Sequence, residues 1–130
     1  MITDRVGDFI TRLNNAARAG KVEVSVPHSD HLEAIARKLK ELGFLAEIQK
    51  TEDTKKTLIV SLAYSEQGTP RIRGVKRMSS PGRRSYLSHK DAHRVKGGMG
   101  ARLVSTPKGV LSDAEARKVR IGGEDLFQIW

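Results

Sequence analysis

The chain has 130 residues, enough for two small domains of about 50 residues or more each. It is 38% hydrophobic and 30% charged, which is apolar enough for a packed core and excludes wholesale disorder. It carries 24 Lys+Arg against 15 Asp+Glu, a formal net charge of +9 and a pI near 10.2. No run approaches the roughly 18 apolar residues of a membrane span, so no membrane partner is expected. Without cysteine there is no disulfide, thiolate metal site or cysteine nucleophile, and a reducing compartment fits. Met1-Ile2-Thr3-Asp4-Arg5 lacks the basic-then-apolar order of a secretory signal.

Val6, Phe9, Ile10, Leu13, Ala16 and Ala17 recur at helical spacing, with Thr3 or Asp4 as cap and Gly20 as stop. Val22, Val24 and Val26 alternate with polar residues and predict a half-buried strand ended by Pro27. Asp30 with Glu33 has capping-box spacing ahead of a second stripe, Leu32, Ile35, Ala36, Leu39 and Leu42, stopped by Gly43. Residues 44–50 and 57–64 read as strands around a turn at 51–54. The order α-β-α-β-β gives a small sheet with two helices on it, over residues 1–64.

Residues 65–70, Ser-Glu-Gln-Gly-Thr-Pro, form the expected linker, where the charge balance changes. Residues 1–65 hold 10 Lys/Arg and 9 Asp/Glu, and residues 66–130 hold 14 and 6. From Arg71 to Lys108 there are 11 basic residues and one acid, Asp91. A near-neutral scaffold joined to a basic polyanion-binding unit over residues 71–130 accounts for this better than a face kept basic for solubility, which charge of either sign would serve.

Within that unit, residues 71–78 and 83–87 predict strands about a Ser80-Pro81-Gly82 turn. Residues 90–95 predict a helical turn, and Gly97-Gly98-Met99-Gly100 a flexible break. Residues 101–105 predict a strand, Pro107-Lys108-Gly109 a turn, and Ser112 with Glu115 a capping box on a short helix reaching Val119. Gly122-Gly123 ends that region before a strand over 125–130. The fold class is therefore α+β, an N-terminal α-β-α-β-β unit followed by a strand-rich unit with short helices.

Neither His28/His31 nor His89/His93 has an evident third ligand, so no metal is expected. Ser105-Thr106-Pro107-Lys108 has the spacing of a Ser-Lys hydrolase, but a strand precedes it and a turn follows where that chemistry needs a helix. A Ser105→Ala change would abolish turnover in a hydrolase and remove one contact from a binder. Gly97 to Gly100 matches the G-x-x-G of KH domains, yet a strand follows it and a plain glycine hinge fits better. Tyr86 is the single aromatic residue of the basic stretch, which argues for reading backbone, ribose and shape over base stacking.

The run Gly100-Ala101-Arg102-Leu103-Val104-Ser105-Thr106-Pro107-Lys108-Gly109-Val110-Leu111, then Ala116-Arg117, resembles the signature of the family of small-subunit ribosomal protein eight, bacterial type. Thr11-Arg12 and Asn14-Asn15 resemble its opening helix. Ser80-Pro81-Gly82-Arg83-Arg84 with Tyr86 resembles its central turn, and Gly122-Gly123-Glu124 through Trp130 its C-terminus.

The resemblance implies two packed α/β units in a non-catalytic protein without cofactor or small-molecule substrate. It implies direct binding to the central domain of small-subunit (16S) ribosomal RNA, support of subunit assembly, neighbouring small-subunit ribosomal proteins and a place in the cytoplasmic ribosome. In some bacterial members it also implies repression of a ribosomal-protein messenger. By position it assigns RNA contact to Ser105, Thr106, Lys108, Gly109, Tyr86, Arg83, Arg84, Gly123 and Glu124, with Arg12 on a second RNA segment. Pro107 stands where many members have serine, removing a hydroxyl and an N–H donor, so Ser105 and Thr106 are expected to carry more of that loop's contacts.

Overall fold

The computed structural model describes residues 4–52 and 54–130, which divide into two compact units. The first comprises Asp8–Arg73 and the second Gly74–Trp130 with residues 4–7. Thr3, one of the two expected helix caps, and residue 53 of the expected 51–54 turn lie outside the described residues.

The first unit follows the order expected for it. Helix α1 (Arg5–Arg18), whose residues before Asp8 count with the second unit, begins at Asp4, whose Oδ1 accepts the Gly7 N–H at 3.0 Å. It ends as Gly20, at φ +70°, donates to Ala17 O and Lys21 N–H donates to Ala16 O. Strand β1 (Glu23–Pro27) and helix α2 (Asp30–Glu41) follow, then β2 (Leu45–Lys50) and β3 (Thr57–Leu62). Gly43, at φ +88°, closes α2 in the same way, its successor Phe44 donating to Leu39 O. The three strands pair antiparallel in the order β1-β3-β2. Both helical stripes are buried, Phe9 and Leu13 on α1 and Leu32, Ile35 and Leu39 on α2, as are Val24, Val26, Leu58, Val60 and Leu62 of the sheet.

One cap differs from the sequence pattern. Ser29 caps α2, its Oγ accepting from Leu32 N–H at 3.1 Å, so Asp30 is the first helical residue and no Asp30/Glu33 box forms. Ser29 already has the extended cap conformation (φ −144°, ψ 156°). Glu33 is drawn away to His28 Nε2 at 2.9 Å and Arg37 Nε at 3.1 Å.

The 65–70 stretch is a closed turn inside the first unit. Ser65 N–H donates to Thr69 O, Gly68 N–H to Ser65 O, and Tyr64 pairs with Pro70. Residues 71–73 also belong to this unit, with the Arg71 guanidinium 4.2 Å above the Phe44 ring. The expected strand over 71–78 accordingly shrinks to β4 (Val75–Arg77).

In the second unit β5 (Tyr86–Leu87), β6 (Ala101–Thr106), β7 (Gly109–Ser112) and β8 (Gly123–Ile129) complete an antiparallel sheet ordered β4-β8-β6-β7. β5 shares with β4 the same flank of β8, at its opposite end. Helix α3 (Asp113–Val119) has the expected capping box, Glu115 N–H donating to Ser112 Oγ and Ser112 N–H to Glu115 Oε1. The turn expected at 90–95 is a single 3-10 turn at His89–Asp91, and Gly97 lies inside a second, Lys96–Gly98, closed by three N–H donors onto Val95 and Lys96 carbonyls. The glycines there, at φ +66° and +95°, shape a hydrogen-bonded turn where a flexible break was expected. Leu103, Val104, Ala116, Leu126, Phe127 and Ile129 form the buried centre of the sheet and α3.

Candidate nucleic-acid interface

β8 is the central strand of the candidate surface. Glu124 pairs with Tyr86 on one side and with Ser105 on the other, and Ser105 pairs in turn with Val110. Directly paired residues share one face of a sheet, so Tyr86, Glu124, Ser105 and Val110 stand in one row. Tyr86 is 71% exposed. The opposite face carries the buried Val104 and Asp125.

Two glycines bring the backbones of this row close together. A Cβ on Gly122 would lie 2.3 Å from Leu87 O, and one on Gly123 would lie 2.1 Å from Ser105 O. Any side chain at either position would push the strands apart. A bulge in β8 lies beyond this corner: Leu103 pairs with Phe127 and Val104 with Asp125, leaving Leu126 unpaired and buried.

At the β6–β7 hairpin, Thr106 and Gly109 pair across the Pro107-Lys108 turn. The Thr106 hydroxyl donates to Gly109 O at 2.7 Å and accepts from Lys108 N–H at 3.1 Å. Its proton is therefore committed inside the turn. Ser105 Oγ makes no hydrogen bond among the described residues, so of the two hydroxyls it is the one with a proton to offer. Proline suits the second position of such a turn, and Gly109 supplies φ +108°. Pro107 and Lys108 are exposed, and the Lys108 ammonium has no ion pair among the described residues.

On the other flank of β8, Ser80 and Arg83 exchange backbone hydrogen bonds around Pro81-Gly82, the turn expected there. Arg83 and Arg84 are exposed at its end. Arg84 Nη1 donates to Glu124 Oε2 at 3.0 Å, and Ser79 Oγ donates to the same oxygen at 2.6 Å. Burial and the neighbouring Arg84 pull the Arg77 guanidinium below the usual arginine range, with Glu124 opposing.

Nine of the ten residues singled out in the sequence thus lie on the second unit, around the β8 corner. Arg12 belongs to the first unit, where it binds Asp8 at 3.1 Å and Ser25 O at 3.2 Å. Ser79, buried to 3% exposure, escaped the sequence reading. Its link to Glu124 spans 45 residues, and nothing local signals it. Among the described residues, no group of three or more His, Asp or Glu could hold a metal ion, and no helix is long and apolar enough to cross a membrane.

The sequence model of the family described as "Ribosomal protein S8" matches residues 4–130. The chain belongs to the ribosomal protein S8 family. It is 44% identical over 131 residues to "Small ribosomal subunit protein uS8" of Chloroflexus aurantiacus, covering 99% of this chain and 98% of that one. The protein of the same name from Opitutus terrae is 42% identical over 131 residues, covering 99% and 100%. That from Persephonella marina is 41% identical over 136 residues, covering all of both chains. The ribosomal protein S8 family is not a family of enzymes, and the Ser105 and Lys108 of this member sit on a strand and a turn.

Proposed function

We propose that this chain is a structural constituent of the small ribosomal subunit that binds the central domain of 16S ribosomal RNA directly and supports subunit assembly. The observation that carries this reading is the Tyr86–Glu124–Ser105 row, set between the Arg83-Arg84 turn and the Lys108 hairpin. Lys108, Arg83 and Arg84 supply cations for phosphates, which give most of the affinity. Ser105 and the Tyr86 hydroxyl supply donors and acceptors for ribose hydroxyls. The absent side chains at Gly122 and Gly123 let the neighbouring strands close up and so set the spacing of the row. Arg12, on the first unit, touches a second RNA segment. With one exposed aromatic ring in the row, selectivity comes from shape and ribose edges and not from a stacking platform. Its other partners are neighbouring ribosomal proteins, and it acts in the ribosome.

Chemical footprinting of 16S ribosomal RNA with the purified protein tests this. Protection confined to an irregular helix of the central domain, falling steeply with salt, is expected. Protection spread evenly over the RNA, or none, overturns it.

A further inference from the structure

A carboxylate in an RNA-facing row needs a reason, because it repels every phosphate that comes near. Glu124 is held at one oxygen only. Oε2 takes the Ser79 hydroxyl at 2.6 Å and the Arg84 guanidinium at 3.0 Å, while Oε1 takes no hydrogen bond among the described residues. The Arg84 side chain is 53% accessible, so solvent competes for its bond to Glu124. Ser79 is buried. Its carbonyl accepts from Arg77 Nε at 2.7 Å, and its Oγ accepts the Ser85 N–H at 3.1 Å. With a lone pair already used by Ser85, the single hydroxyl proton of Ser79 points to Glu124.

We propose that Ser79 is a positioning residue for RNA recognition, locking Glu124 in one orientation so that Oε1 faces outward as a fixed acceptor. An ionised carboxylate can only accept, so the group it selects must donate: a ribose 2′-hydroxyl or a base amino group, never a phosphate. Since DNA lacks the 2′-hydroxyl, a ribose contact here would help separate RNA from DNA. This inference rests on the proposed RNA-binding function and deepens it.

The test uses the full-length protein and a 16S central-domain transcript, with binding measured across a salt series. Ser79→Ala is expected to weaken binding about tenfold, the scale of one hydrogen bond to a charged group. The salt slope should stay unchanged, because no phosphate contact is lost. In a Glu124→Ala background, Ser79→Ala should then cost almost nothing. Glu124→Asp keeps the charge but withdraws it from Ser79, and should lose as much as Ser79→Ala; this arm stands even if Ser79→Ala fails to fold. Equal losses from Ser79→Ala with and without Glu124, or full affinity in Glu124→Asp, overturns the positioning role. If the unaltered protein fails to bind the transcript, it is the RNA-binding reading that falls.

Discussion

Gly123 lies against Ser105 so closely that a Cβ on the glycine would stand 2.1 Å from the serine carbonyl oxygen, with Thr106 Cα at 3.1 Å. The obstruction is backbone, which cannot rotate away as the end of a side chain can. Gly123→Ala should therefore cost about 1–3 kcal/mol, the usual scale of overpacking. It should also weaken RNA binding by displacing the Ser105-Thr106 strand. Urea unfolding and a binding isotherm check the two effects. Full stability in the alanine variant would show that β8 yields easily.

Ser105 and Thr106, adjacent in sequence, should respond differently. The Thr106 hydroxyl bridges Gly109 O and Lys108 N–H, so Thr106→Val should destabilise the protein by about 0.5–1.5 kcal/mol. Ser105→Ala removes no internal hydrogen bond among the described residues. It should leave unfolding unchanged and weaken RNA binding by about 1 kcal/mol. The same pair of measurements on each variant decides the matter, and identical behaviour would contradict the division of labour.

Lys108→Ala should weaken binding to matched and mismatched RNA alike and reduce the log–log salt slope by about one unit. Arg12→Ala should do less to the slope, because its guanidinium is held by Asp8 and Ser25 O within the first unit. Unequal losses on matched and mismatched RNA, or an unchanged slope for Lys108→Ala, would remove Lys108 from the phosphate contacts.

Two carboxylates should give opposite pH slopes. Hydrogen bonds from His28 and then Arg37 hold Glu33 below the usual glutamate range; burial opposes this, and the Arg37 and Lys50 charges add to it. The unfolded chain then takes up protons first as pH falls, so this contribution is present above the ordinary glutamate range and is lost through the lower folded pKa. Glu33→Gln should be less stable than the parent at neutral pH, and the gap should close in acid. Burial raises Asp125, with Arg102 opposing at 3.4 Å. There the folded state binds the proton first, so the parent should gain on Asp125→Asn as pH falls through the raised folded pKa. That gain should level off below the ordinary aspartate range. Denaturant unfolding from neutral into acid, with slopes of equal sign in the two comparisons, would refute one of the assignments.

Local chemistry made much of the fold legible in advance. The 0, 3, 4, 7 stripes of α1 and α2, the Gly20 and Gly43 stops, the alternation in β1 and the Ser112/Glu115 box all act within a few residues, where side-chain periodicity and backbone hydrogen bonding are set. The Pro81-Gly82 and Pro107-Lys108 turns belong to the same class. The α2 cap stands one residue earlier than the spacing suggests, because Ser29 and Asp30 are both good caps and the Glu33 carboxylate is taken by His28 and Arg37. Contacts between distant segments could not be seen that way. The Tyr86–Glu124–Ser105 row depends on strand register, and Ser79 reaches Glu124 only because β4 and β5 flank the same side of β8. Residue types along the chain define which strands can form. Which strand lies beside which, and at what offset, is settled by packing the whole sheet over one core, and it is that packing which assembles the surface.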